Sequence, residues 1–382
     1  MPPAPRPARP LLALDLLRFL CAVSVVTYHY LGAAAHSPSP HAKLALSGVA
    51  VPTGAIAATW WGWVGVEIFF VISGYVIACS ARGATWSGFL RRRALRLYPA
   101  ALVCASVSLA VLLAGAVAPA GRLFAEWSVS AALLPAGAPV DGSYWTLPIE
   151  IAFYLLIAGM LALPVRGERI LEASGWGLGL VSTAVLLFGP PLGWTEGALH
   201  VVAQLLIYGP EFALGMALAD SHGAASQSPL RLLWVAVLAA MTLGTTWVSA
   251  VEGAVRIGAP MQPWVPTLIV AIGLGILIAA PRLQPGLERL RGARHIPMLG
   301  LMTYPLYLVH QDAGLTIAAA LVRRGVSYGA AVAVSAALAL AFAWVVAARV
   351  EPAVRGWLAA LDLRRFRAPV PDSFRNAFPP AG

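Results

Sequence analysis

Charge is what this 382-residue chain has least of: 11% of its residues are charged and 59% hydrophobic, with mean hydropathy +0.78. A soluble domain of this length needs charge to cover its surface, so that class is excluded. Lysine is almost missing, Lys43 being the one lysine among 26 basic residues. The net charge of +10 does not point to nucleic acid, because the arginines sit in short clusters between apolar runs instead of along a solvated face. Cysteine is scarce too. Cys21, Cys79 and Cys104 all lie within apolar runs, an odd number placed where neither a disulfide nor a zinc site is expected. A phosphate-binding P-loop, a GxGxxG turn, HExxH and CxxC are all missing, so neither ATP coupling nor a structural metal is predicted.

What the chain does have is apolar runs of the length that crosses a hydrocarbon core of about 30 Å. Ten spans are predicted, at 11–34, 60–80, 98–118, 145–164, 174–191, 200–219, 231–250, 264–281, 297–320 and 328–349. The piece 123–138 is interrupted by Pro135 and Gly137 and reads as re-entrant or interfacial. With the N-terminus in the cytoplasm, ten crossings return the C-terminus there. Arg18 then lies within the first span and Lys43, Arg122, Arg256, Arg323 and Arg324 lie outside, leaving 20 of the 26 basic residues on cytoplasmic segments. That bias is the positive-inside pattern, and an eleventh span at 123–138 would invert it. The first apolar run ends in Ala33-Ala34-Ala35 and has some features of a secretory signal. Asp15 and Arg18 interrupt it, and its length suits an anchor that is retained. The expected organisation is a disordered tail at 1–10, a membrane domain at 11–350 and a cytoplasmic tail at 351–382, in a multi-pass protein of a bacterial inner membrane.

An ionisable residue deep in a span costs a few kcal/mol to insert and is a functional candidate by default. The first span holds Asp15, Arg18 and His29. Eleven residues separate Arg18 from His29, three helical turns plus only ~20°, so they share a face ~16 Å apart along the axis. Snorkelling toward opposite headgroups would account for either residue alone, though not for the shared face. Glu67 lies in the second span, within Gly65-Val66-Glu67-Ile68-Phe69-Phe70-Val71-Ile72-Ser73-Gly74. The fourth span opens at Trp145, a plain interfacial aromatic on the simplest reading, and stacks Glu150 and Tyr154 at i,i+4. Glu211 lies in the sixth span, and His310 in the ninth with Tyr307 one turn before it. Before the third span runs Arg91-Arg92-Arg93-Ala94-Leu95-Arg96, which helps set topology and also makes a cationic patch suited to phosphates.

Taken in order, these motifs resemble the acyltransferase-3 family of bacterial integral-membrane O-acyltransferases. The likeness rests on Arg18 through His29, on Gly65 to Gly74, on the basic run at 91–96, on Trp145 to Tyr154, on Glu211 to Met216 and on Thr303 to His310. Thr303 stands where the family often has serine, and Ala152 where a polar residue is common. The resemblance implies transfer of an acyl group, acetyl as the expected one, from acyl-CoA to a hydroxyl of a carbohydrate or glycosylated acceptor. Acyl-CoA would be a co-substrate, with no tightly bound cofactor. On that reading CoA phosphates rest on Arg91, Arg92, Arg93 or Arg96, and the pantetheine arm passes Arg18. His29 acts as general base, and Glu67 or Glu150 orients its imidazole. Trp145, Tyr154, Tyr307 and His310 are expected to bind substrate. The rival is a proton-coupled transporter or flippase for a polysaccharide precursor, which predicts repeated halves with paired broken helices. No such repeat is visible in the sequence.

Overall fold

The computed structural model describes residues 11–36, 39–163, 168–188, 197–221, 228–354 and 356. The expected tail at 1–10, and most of the one at 351–382, lie outside these residues. No strand is found among the described residues. The α-helices are α1 (Leu12–Thr27), α2 (Pro40–Ala45), α3 (Ile56–Thr59), α4 (Gly65–Ala81), α5 (Trp86–Ala114), α6 (Ala120–Ala131), α7 (Thr146–Ala162) and α8 (Glu168–Phe188). They continue with α9 (Gly197–Ile207), α10 (Gly209–Ser221), α11 (Pro229–Ile257), α12 (Trp264–Glu288), α13 (Ile296–Val309), α14 (Asp312–Arg323) and α15 (Tyr328–Val345). Two short π-helical turns extend α1 and α15, at Tyr28–Gly32 and Val346–Val350.

The protein is an all-α polytopic membrane protein. Among the described residues eight helical runs are long and apolar enough to cross a membrane, and the bent pair Leu199–Ile207 and Gly209–Ala219, at 54°, makes a ninth. Such a bend leaves backbone groups unpaired, which membrane proteins tolerate where other protein covers them. Here α10 packs closely on α4. A Cβ added at Gly74 would lie 2.1 Å from the Phe212 carbonyl oxygen, and one at Gly215 2.0 Å from that of Val71, so only glycine permits the approach.

The ninth expected span, 297–320, is two helices instead of one. The chain breaks between Val309 and Asp312, so α13 and α14 are each too short to cross alone. The freed groups at the break find partners from distant segments. Tyr30 donates its hydroxyl to the His310 carbonyl at 2.8 Å, and the Asp141 carboxylate accepts from the Asp312 and Ala313 amides at 3.1 and 3.3 Å. Asp141 also accepts from Ser108, and from the amide and hydroxyl of Ser143. It therefore caps α14 while tying it to α5 and to the turn before α7. The segment 123–138 does not span: α6 is 12 residues long and ends before Pro135.

Candidate functional site

A cavity of about 470 Å³ opens inside the bundle. On α4 its lining residues are Val66, Phe69, Phe70, Ser73, Val76 and Ile77, one helical stripe. By the α-helical rise that stripe is ~16 Å long. The α7 wall is Thr146, Leu147, Glu150 and Tyr154, and the α13 wall is Gly300, Thr303, Tyr304 and Tyr307. Chain direction gives the cavity two ends. At one, α4 is about to end and α5 has just begun, and Arg92, Arg93 and Arg96 gather with Arg18 of α1. At the other stand the opening turns of α4 and α7 and the closing turn of α13, which bring Val66, Phe69, Leu147 and Tyr307 together.

The arginine end is held by contacts of different strength. Arg96 pairs with Glu351 at 2.7 Å, just after the π turn of α15. Arg92 donates to the Ser80 carbonyl at 3.3 Å. The Arg93 guanidinium lies 5.7 Å from the Phe89 ring centroid and 6.0 Å from that of Tyr154, a cation–π arrangement. Arg18 makes no hydrogen bond among the described residues and lies within electrostatic reach of Asp15 and Glu150. Arg91 is exposed and does not line the cavity, unlike its three neighbours. Midway along, Glu150 accepts from the Tyr154 hydroxyl, as the i,i+4 spacing predicts, and from Ser73 at 3.2 Å.

Beyond the other end, two histidines meet. His29 Nδ1 lies 2.9 Å from His310 Nε2 and 3.1 Å from the Val25 carbonyl oxygen. His310 Nδ1 lies 2.7 Å from the Tyr307 carbonyl oxygen. A carbonyl only accepts, so the network assigns the proton of neutral His310 to Nδ1 and leaves Nε2 a lone pair. The His29 proton then belongs on Nδ1, shared between the Val25 carbonyl and His310 Nε2. That tautomer leaves His29 Nε2 as the proton acceptor of the pair. The π turn at Tyr28–Gly32 carries His29, and the helix break carries His310. π turns of this kind recur at functional sites.

The structure separates the remaining sequence candidates. Neither Glu67 nor Glu150 hydrogen-bonds His29; the partner of its ring is His310, placed among the substrate binders on sequence grounds. Glu67 is buried outside the cavity and within electrostatic reach of Glu211, on the opening turn of α10 beside the bend, and Glu211 accepts from Thr245 at 3.1 Å. Trp145 does not line the large cavity. It borders a smaller one of about 180 Å³, with Tyr144, His200 and Gln204, at the histidine end. Asp141 and Ser73 escaped sequence reasoning, although the Asp141-Gly142-Ser143 turn signal precedes the Trp145 block.

A helical membrane bundle thus encloses a cavity with arginines at one end and an imidazole pair beyond the other. The acyltransferase domain of the acyltransferase-3 family matches residues 11–349, and the chain belongs to that family. It is similar to the exopolysaccharide production protein ExoZ of Rhizobium meliloti (strain 1021), 33% identical over 129 residues, which are 31% of this chain and 40% of that protein. It is also similar to nodulation protein 10 of Rhizobium leguminosarum bv. viciae, 25% identical over 276 residues, 64% of this chain and 71% of the relative. No solved structure matches the chain.

Proposed function

We propose that this acyltransferase moves an acyl group from acyl-CoA to a hydroxyl of a carbohydrate or glycosylated acceptor in a bacterial inner membrane. The observation that carries the reading is the polarity of the cavity: guanidinium groups gather at one end, and His29 and His310 lie just past the other. The phosphates of CoA sit on Arg92, Arg93, Arg96 and Arg18, and the pantetheine arm runs along α4, α7 and α13. The acceptor hydroxyl attacks the thioester carbonyl while His29 Nε2 takes its proton. A C–O bond forms, the C–S bond breaks, and the proton passes on to the CoA thiolate. His310 fixes the His29 tautomer, the task a carboxylate performs in a catalytic triad. CoA is a co-substrate, and no tightly bound cofactor takes part. Both termini lie in the cytoplasm, which puts the arginine end on the side where acyl-CoA is made.

One observation favours a second reading. The bent pair α9–α10, with Glu211 beside Glu67, is the kind of broken helix and buried carboxyl pair on which a proton-coupled transporter is built. Membranes expressing the chain, supplied with radiolabelled acetyl-CoA, separate the two. Label appearing in glycan together with stoichiometric free CoA supports acyl transfer. Unconsumed acetyl-CoA across a series of acyl lengths, together with pH-gradient-driven glycan movement, replaces it with transport.

A further inference from the structure

The two ends of the cavity are unequally closed, and this bears on which acyl groups fit. The lining stripe on α4 runs from Ile77 near the arginines to Val66, ~16 Å by helical rise. That is about the reach of an extended pantetheine arm. A donor whose phosphates rest on the arginines therefore brings its thioester to Val66, Phe69 and Tyr307, having used the length of the cavity on the arm.

Those residues make a wall. The Phe69 and Tyr307 rings meet edge to face with centroids 6.0 Å apart, and Tyr307 in turn lies 5.8 Å from His310. Tyr307 is buried, and Phe69 packs against three separate clusters of the core, so each ring is held from behind and faces the cavity with its open side. Leu147 closes the side between them and the smaller cavity, since it lines both. His29 and His310 do not line the large cavity at all. The thioester carbonyl thus meets the wall directly, and an acyl tail has to fit in whatever space the wall leaves.

Resting on the acyl-CoA reading above, we propose that Phe69 and Tyr307 are specificity-determining residues that restrict the donor to short acyl chains, acetyl or one of a few carbons. Long fatty acyl groups are rejected by the packed rings. The phosphate and pantetheine contacts, common to every acyl-CoA, contribute nothing to the choice.

The test uses the full chain in membranes with acetyl-, butyryl- and octanoyl-CoA as donors, comparing wild type with Phe69→Ala and Phe69→Leu. One methylene in an apolar pocket changes kcat/KM by roughly 10–200-fold. Wild type is accordingly expected to use octanoyl-CoA at least about tenfold less well than acetyl-CoA, and Phe69→Ala to raise the octanoyl-to-acetyl ratio by about tenfold or more. Phe69→Leu, which keeps most of the volume, gives an intermediate ratio and covers the case in which alanine impairs folding. Octanoyl transfer by wild type as efficient as acetyl transfer overturns the proposal. So does an unchanged ratio in a Phe69 variant that still transfers acetyl. Refusal of every acyl-CoA by wild type overturns instead the donor reading on which the inference rests.

Discussion

The two ends of the cavity are held by opposite kinds of force. At the arginine end the groups are charged and part-exposed, and Arg96 pairs with Glu351 at 2.7 Å. At the histidine end each imidazole is fixed by a backbone carbonyl, Val25 for His29 and Tyr307 for His310. A π turn stands at each end, one carrying His29 and the other preceding Glu351. Charge attracts a ligand from several angles and tolerates small displacements. A proton transfer needs its atoms within hydrogen-bond reach, and a misplacement of about 1 Å can cost ~10²-fold. On the proposed reading the arginine end is therefore a binding device that degrades gradually, and the histidine end a chemical device that fails abruptly.

The sharpest way to break this contrast is at His29. His29→Ala is expected to lower kcat by about 10²–10⁴-fold while the protein still inserts and elutes as wild type does on size exclusion. The donor KM should stay near its original value, because His29 does not line the cavity. A large rise in KM with kcat preserved would mean that His29 binds and does not act as the base. His310→Ala comes next. It leaves His29 Nδ1 on the Val25 carbonyl and removes the second restraint on the ring, so a fall in kcat of about 10–10²-fold is expected, again with little change in KM. Equal damage from both substitutions would instead assign the chemistry to the pair as a unit, and the double variant would then be no worse than either.

The Glu150–Tyr154 pair is legible in the sequence because it is local: helical periodicity alone predicts it, and it is realised as drawn. The partner of His29 is not local. His310 is 281 residues away, and nothing in either segment names the other. The break before α14 was legible only in part. His310-Gln311-Asp312 interrupts the apolar run at 297–320, but the group that caps the break is distant: Asp141, 171 residues upstream, accepts the first amide of α14. Glu67 was legible as costly, but its depth in a span says nothing of which neighbour it faces, and the carboxyl within its electrostatic reach is that of Glu211. The family, by contrast, was readable from six short motifs in order, and the match over residues 11–349 bears it out.

At the arginine end the expected effects are smaller and of a different kind. Removing a charge-assisted contact to a phosphate costs about 1.5–3 kcal/mol, so Arg18→Ala or Arg96→Ala should raise the donor KM by about 10–10²-fold and leave kcat less affected. The same contacts are screened by salt, and the KM of wild type should rise with ionic strength. Arg96→Ala should show less of that rise, having fewer charges left to screen. A KM indifferent to salt in wild type would put the phosphates somewhere other than on these four guanidiniums.

The smallest effect separates the two jobs that the run 91–96 can do. Arg91 and Arg92 are both exposed, but Arg91 stands outside the cavity whereas Arg92, Arg93 and Arg96 line it. If the run acted only by its number of positive charges, orienting the helices in the membrane, Arg91→Ala and Arg92→Ala would be equivalent, each removing one charge from a pattern carried by many. If position matters, Arg92→Ala raises the donor KM and Arg91→Ala does not, staying within the few-fold change that the loss of a surface charge brings. Kinetics on the two neighbours, with insertion checked by protease accessibility of the loops, decide between charge count and geometry. Equal KM values for the two variants would return Arg92, with Arg91, to topology, leaving Arg18, Arg93 and Arg96 to hold the phosphates.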